Sequence, residues 1–401
     1  MFLEKTLSRN EALIDAAVTL HQAYQIPANS YVLDVDAIVE NVRMMAEMCH
    51  KYHMKLYPMT KQIGRNPVVI KALKEAGADG CVCVDMADAR RVHEAGMKIG
   101  HLGHLVQVPA GETDAAVAMK PEYWTVYSME KARAISEALV RSGLEKTYTQ
   151  KVMARIYAEG DTYYTGHEGG FAAEDVVETA RALDALPGLK FAGITSFPTQ
   201  LFDADAVEVK HTHNYQTLLE AKERLEAAGF TKIEVNAPGT TSSHLFAEMA
   251  QKGITQVEPG HGMTGTTPLH ALKDLAEKPA MVYVSEVCHF YKGRGYCYGG
   301  GMYIDPVFPA YPVKACVGAS PEEARKNQVV CDIPSPAAID YYGIFKPGAS
   351  MKQGDTAVFG FRAQAFVTRA FVVPVVGISR GTPQAAGIFD SDGKAMGWPN
   401  W

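Results

Sequence analysis

The chain has 401 residues, 47% of them apolar and 21% charged, a balance that supports a large core and excludes a disordered segment or a single small module. Its formal net charge is −6, from 39 basic and 45 acidic residues with neither sign in a long run. That leaves no electrostatic footprint for nucleic acid or an anionic membrane and favours a small-molecule partner. No stretch approaches the ~18 apolar residues of a membrane span, and the N-terminus lacks a basic segment followed by an apolar one, so a cytoplasmic protein without membrane association is expected. Seven cysteines, an odd number without CxxC pairs, read as reduced thiols rather than a disulfide framework.

A helical N-terminal arm over 1–27 is followed by SYVLDVDAI, a strand running into a helix that ends near Tyr52. Eight short β-rich runs then alternate with helical stretches: 55–61, 80–84, 99–105, 123–127, 151–156, 190–196, 232–237 and 256–260. Several helices open on Asp, Ser or Asn and stop on Gly, as DMADARRVHEAG and SMEKARAISEALVRSG do. Eight β-then-α units predict an α/β fold with a parallel (β/α)8 barrel of the TIM type over 28–272. From about residue 280 the texture changes to short strands separated by Gly, Pro and Ser turns (VYVSEVCHFY, RGYCYGGGMY, NQVVCDI, DTAVFGF, AQAFVTRAFVVPVVGI). A C-terminal all-β domain over 273–401 is expected.

Reactive groups of such barrels stand at the C-terminal ends of the strands. Strand one runs into Lys61, where partial desolvation lowers an amine's pKa and suits it to Schiff-base chemistry. Strands seven and eight run into NAPGTTSSHL (236–245) and EPGHGMTGTTP (258–268), glycine-rich turns at the place where barrels most often cradle a phosphate. A reactive lysine opposite a phosphate cradle points to pyridoxal 5′-phosphate.

The order DVDAIVENV, YPMTK, GADGCVCVDMADARRVHEAG, GITSF, NAPGTTS, EPGHG resembles the fold-type III pyridoxal-phosphate enzymes, the alanine racemase and ornithine/diaminopimelate decarboxylase group. It is most similar to the alanine-racemase-like amino-acid racemases of unassigned substrate. The resemblance spans residues 28–370 and implies several roles. Lys61 matches the lysine that binds the cofactor covalently and acts as one base. Gly239 and Thr240, with the backbone at Gly260 and His261, match the phosphate cradle, and Asn236 belongs with the cofactor-binding candidates. Arg65 stands where alanine racemases place a phosphate-binding tyrosine, and its guanidinium suits a phosphate. In the β-domain, GRGYCYGG (293–300) makes Tyr298 the matching catalytic tyrosine, with Tyr296 left open as an alternative. VVCDI (329–333) makes Cys331 and Asp332 candidates for insertion into a partner's site, which implies a homodimer with shared active sites.

Two departures matter. Glu258 replaces the arginine that contacts the pyridine nitrogen in alanine racemases, and a carboxylate there keeps that nitrogen protonated. The segment YAEGDTYYTGHEGGF (157–171) has no arginine where alanine racemases hold the substrate carboxylate, so the amino-acid substrate cannot be inherited. Arg155, at the end of strand five, is a weaker candidate for holding substrate. Cys81/Cys83, His50/His53, His101/His104 and Cys288-His289 are each too few or too poorly placed for a metal site, and none is expected. The expected activity is racemisation, with Lys61 and a partner-chain tyrosine as the two bases. Decarboxylation is the alternative, and a non-catalytic cofactor carrier comes third.

Overall fold

In the computed structural model, which describes residues 1–305 and 310–398, all eight expected barrel strands form: Lys55–Leu56, Cys81–Cys83, Ile99–Leu102, Tyr123–Val126, Gln150–Tyr157, Leu189–Thr195, Glu234–Asn236 and Gln256–Val257. Each lies parallel to its neighbours. The eighth pairs with the first, and a parallel bridge from Met59 to Val82 closes the ring. This barrel belongs to a unit made of residues 43–60 and 74–260.

The local reasons follow the sequence signals. Asp85 caps the helix Met86–Glu94 by accepting from the Asp88 backbone N–H at 2.9 Å, and Ser128 caps Met129–Ser142 from Lys131 at 3.3 Å. That second helix stops at Gly143, which adopts φ +69°, a left-handed conformation that costs glycine little. Inside the barrel Tyr57, Met59, Val82, Val84, Tyr123 and Met153 form a buried cluster. Gly100 leaves room for the Tyr57 ring, which a Cβ would approach to 2.3 Å.

The second unit comprises Met1–Val42, Lys61–Leu73 and the chain from His261 onward. Its strands Met281–Tyr291, Arg294–Tyr298, Tyr342–Phe345, Gln328–Asp332, Lys314–Gly318 and Thr356–Phe359 pair antiparallel in that order, and the last returns to the first, forming a six-stranded ring. Ser30–Asp34 is a strand as expected, but its partners lie in this sheet and not in the barrel. It runs antiparallel to Met281–Tyr291 and parallel to Phe371–Val376. The helix Glu11–Gln22 buries Leu13, Ile14, Ala17 and Val18 against Val32, Val282, Val284, Val358 and Val373, joining the arm to the same core. Two strands of the ring, Lys314–Gly318 and Tyr342–Phe345, the helix Pro321–Lys326 and the short strands Gln384–Ala385, Ile388–Phe389 and Ala395–Met396 were not legible from the sequence. Among the described residues no helix is long and apolar enough to cross a membrane.

Candidate active site

The C-terminal ends of the barrel strands gather buried polar side chains around Glu258. His101, the third residue of strand three, places Nδ1 2.6 Å from Glu258 Oε1 and Nε2 2.5 Å from the hydroxyl oxygen of Thr125 on strand four. An ionised carboxylate can only accept, so Nδ1 carries the proton and Nε2 accepts from the threonine. Asn236 at the end of strand seven donates from Nδ2 to the same Oε1 at 2.9 Å, and its own oxygen accepts from Thr195 of strand six at 2.8 Å. His104 stacks on His101 with ring centroids 5.2 Å apart, its Nε2 3.6 Å from Glu258 Oε2. Among the described residues Glu258 Oε2 is buried with no hydrogen bond, a state that a native site seldom leaves without a ligand.

Beside this cluster stands an aromatic wall. Phe197 meets His104 edge-on at 5.7 Å and stacks on His167 at 5.6 Å, with Tyr164 at 5.7 Å. Arg155, fully buried, donates from Nη2 to the carbonyls of His167 and Phe197, each at 3.0 Å, and from Nη1 to the Tyr127 hydroxyl at 3.3 Å. Burial pushes its guanidinium pKa down, opposed by Tyr127, Tyr163 and Asp161. Among the described residues the cation is thus held by carbonyls and a phenol, with no contacting carboxylate.

In the loop after strand seven, a Cβ on Gly239 would meet the backbone of Gln200 at 2.6 Å and its Oε1 at 2.7 Å. Thr240, matched to the phosphate cradle, donates its N–H to the Gln200 carbonyl at 2.9 Å. After strand eight the backbone turns at Gly260, where the barrel unit ends and His261 opens the second.

In the second unit Lys61 begins a 3-10 turn, and its ammonium lies 5.7 Å from the centre of the Phe366 ring, under which Arg65 also stacks at 5.5 Å. Arg65 forms an ion pair with Asp392, so its guanidinium meets a carboxylate within the chain. His261 is buried, with Nδ1 3.2 Å from the Thr266 hydroxyl oxygen and Nε2 3.7 Å from Asp305. Burial, then the charge of Arg362, pushes its imidazole down to about 3, so it is neutral at physiological pH. Gln364 donates to Asp305 at 2.7 Å.

The register of the β-ring separates the candidates from its two motifs. Tyr296, Tyr298 and Asp332 share one face with Tyr342 and Ile344, whereas Cys331 lies on the other, buried, opposite Phe345. A Cβ on Gly343 would come within 2.8 Å of the Cys331 sulfur. Adjacent strand residues point to opposite faces, so only Asp332 of the Cys-Asp pair is presented outward. Arg294, four residues before Tyr298 in the same motif, donates to Asp332 at 2.5 Å and to the Phe345 carbonyl at 3.3 Å. Burial, Cys288 and Glu286 raise the Tyr298 phenol above its ordinary pKa. Sequence reasoning weighed His101 and His104 only as a metal pair and did not place them beside Glu258; the position of His101 near the end of a barrel strand was the signal that could have done so.

An eight-stranded parallel barrel with buried polar groups at its strand ends, followed by a C-terminal antiparallel β-sheet, defines the fold of the alanine racemase class, whose members bind pyridoxal phosphate. Residues 33–268 match the alanine racemase N-terminal domain and residues 282–385 the YhfX-like C-terminal domain. The chain belongs to the alanine racemase N-terminal domain family and, within it, groups with the YhfX-like proteins. It is 38% identical to the uncharacterized protein YhfX of Escherichia coli K12, covering 99% of this chain and 100% of that one. It is 25% identical over 232 residues to a 3-hydroxy-D-aspartate aldolase of Paracoccus denitrificans, covering 55% and 56%. In fold it is similar to the D-threonine aldolase of Filomicrobium marinum, with a TM-score of 0.70 at 18% identity over 92% and 96% of the chains.

The residues present fit that cofactor. The open Glu258 oxygen accepts what a protonated ring nitrogen donates. The buried Thr241 hydroxyl and Gln200 amide, both without a hydrogen-bond partner among the described residues, suit a phosphate end.

Proposed function

We propose that the protein is a pyridoxal-phosphate enzyme that removes and returns the α-proton of an amino acid, a racemase acting as a homodimer. The observation that supports this most is the Glu258 carboxylate, held by His101 and Asn236 with one buried oxygen left open. When bound, the cofactor supplies an electron sink for charge developing at the substrate α-carbon. Glu258 holds a proton at the ring nitrogen through Oε2, and His101 and Asn236 fix that carboxylate so that no reorganisation is needed as charge develops. The wall of His104, Phe197 and Tyr164 keeps water from the buried carboxylate. Arg155 orients an anionic oxygen of the ligand with the N–H groups that its carbonyl partners leave over. Lys61 moves the α-proton on one face, and Tyr298 of a second copy returns it on the other.

For Tyr298 to act near pH 7.5, its phenol, ordinarily near 10, must fall by about 2.5 units, or about 3.4 kcal/mol. Among the described residues no cation contacts that phenol, so in this reading the second copy supplies it. A second reading, retro-aldol cleavage of a β-hydroxy amino acid, is favoured by the likeness to the 3-hydroxy-D-aspartate aldolase and uses the same electron sink. Cofactor-loaded protein incubated with a panel of D- and L-amino acids, including 3-hydroxy acids, and followed by chiral chromatography with aldehyde and carbon dioxide detection, tests these readings. Inversion without aldehyde or carbon dioxide is expected. Aldehyde release would replace racemisation by cleavage, and carbon dioxide would replace it by decarboxylation.

A further inference from the structure

The N-terminal ends of strands four to seven, at the opposite end of the barrel from Glu258, border a cavity of about 530 Å³, within the range that small-molecule sites occupy. Tyr123, Lys151, Lys190 and Glu234 line it from the strands, and residues 229–233, the turn between the helix His213–Ala227 and strand seven, line it from the side. Part of the wall is apolar. Phe191, 5% exposed, meets Phe230 edge-on with ring centroids 5.7 Å apart, beside Ala192 and Ile233.

The charge around the cavity is not balanced. Parallel pairing sets Lys151 directly beside Lys190, a relation in which like charges repel, and Lys232 adds a third ammonium to the lining. Asp184 meets Lys190 at 2.5 Å, and Glu122 lies 4.0 Å from Lys151 while serving Lys55 and Lys98 at 2.9 and 3.3 Å. Lys232 has no ion pair among the described residues. Five lysines therefore stand against three carboxylates, Glu122, Glu234 and Asp184, a surplus of two positive charges.

The carboxylates of the floor are already occupied. Glu234 Oε1 accepts from Tyr123 at 2.6 Å and Lys55 at 3.3 Å, and its Oε2 accepts from Thr255 at 2.6 Å and Gln256 at 3.2 Å. Glu122 accepts from Lys55 at 2.9 Å and Tyr57 at 3.0 Å. An ammonium entering the cavity would find no free carboxylate and keep its desolvation cost, which excludes cations and zwitterionic amino acids. An anion meets the surplus lysines, and a flat apolar body meets the two phenylalanine rings.

We propose that this cavity is a second small-molecule site, which takes an organic anion with an aromatic body, its carboxylate or phosphate held by Lys151 and Lys232 and its ring set against Phe191 and Phe230. The proposal is independent of the reaction assigned to the Glu258 cluster.

Isothermal titration calorimetry at low salt tests it, on protein loaded with pyridoxal 5′-phosphate and freed of excess, with 2-naphthoate, 2-naphthyl phosphate, neutral 2-naphthol, acetate and inorganic phosphate as probes. The expected result is one aromatic anion bound per chain without change in the cofactor absorbance, with 2-naphthol, acetate and inorganic phosphate each bound roughly tenfold or more weaker. The ratio of the two aromatic anions assigns the preferred acidic group. Lys232→Glu, on an exposed turn, should leave the thermal midpoint unchanged and weaken 2-naphthoate by roughly tenfold or more. Ala192→Leu, which fills the cavity without altering charge, should remove binding. Equal affinity for 2-naphthol and 2-naphthoate would show that the lysines select nothing, and undiminished binding in both variants would put the probe elsewhere. Either result overturns the site, as does absence of binding by wild type at millimolar probe.

Discussion

His101 and Glu258 lie 157 residues apart in the chain, yet their side chains meet at 2.6 Å with almost no exposure to solvent. A buried pair of this kind is costly to break from one side, since the remaining group keeps its desolvation penalty. His101→Ala should therefore destabilise the protein by about 3–5 kcal/mol. The double variant His101→Ala/Glu258→Gln should recover part of that loss. Chemical denaturation of the two single variants and the double variant measures the coupling, and additive losses would contradict a direct pair.

The ring-nitrogen role of Glu258 is separable from its part in the fold. Glu258→Gln keeps the size and the Asn236 contact but removes the charge, so the electron sink weakens at the point where charge develops. The loss should fall on kcat more than on KM, at tenfold or more, about 1.4 kcal/mol. Steady-state kinetics on the substrate identified by the amino-acid panel checks this, and unchanged turnover would remove Glu258 from the chemistry.

Two buried histidines contribute to the acid stability. Burial pushes His21 down to about 4, and burial with the charge of Arg362 pushes His261 to about 3, both from an ordinary value of 6.5. Each binds its proton more readily once unfolded, so each contributes stability that is complete above pH 6.5 and is lost as pH falls from there toward 4 and 3. Unfolding free energy should decline by up to about 1.4 kcal/mol per pH unit for each histidine in that window. Urea titrations from pH 7 to 4 should show His21→Asn and His261→Asn flattening that decline, and an unaltered slope would contradict the assignment.

Much of the barrel was legible because its signals are local: short β-rich runs alternate with helical stretches, and helices such as Met86–Glu94 and Met129–Ser142 open on a capping Asp85 or Ser128. Ser30–Asp34 was recognised as a strand, but its partners at Val282 and Val373 are some 250 and 340 residues away, and nothing local encodes such pairing. The site divides similarly. Lys61, Glu258, Asn236 and Gly239 announce themselves by strand-end position and turn chemistry. The roles of His101 and Gln200 depend on neighbours brought in by folding. Cys331 and Asp332 looked equivalent because their faces are set by pairing with Tyr342–Phe345, a strand too weakly patterned to be foreseen.

Arg155 should hold the segment between strand five and the short strand Phe171–Ala172, because its guanidinium spans the carbonyls of His167 and Phe197. In Arg155→Met the amides between Glu159 and Gly170 should exchange at least tenfold faster, with the rest of the barrel unchanged. Hydrogen exchange read by mass spectrometry measures this, and equal protection would show that the wall stands without the cation.

If Lys61 and Tyr298 act from different copies in one site, Lys61→Ala and Tyr298→Phe chains, each inactive alone, should restore up to about a quarter of wild-type activity when mixed, since random pairing makes half the molecules heterodimers with one intact site each. Proven subunit exchange without any recovery would place both groups in the same chain's site.

The most direct measurement of the central claim is solvent deuterium incorporation at the α-carbon. Cofactor-loaded protein in D2O should place deuterium at the α-position of at least one amino acid, read by mass spectrometry together with its D/L ratio, and Lys61→Ala should place none. Absence of α-deuterium in every amino acid tested, by protein shown to hold the cofactor, would contradict chemistry at the α-carbon. Deuterium uptake undiminished in Lys61→Ala would contradict the role of that lysine.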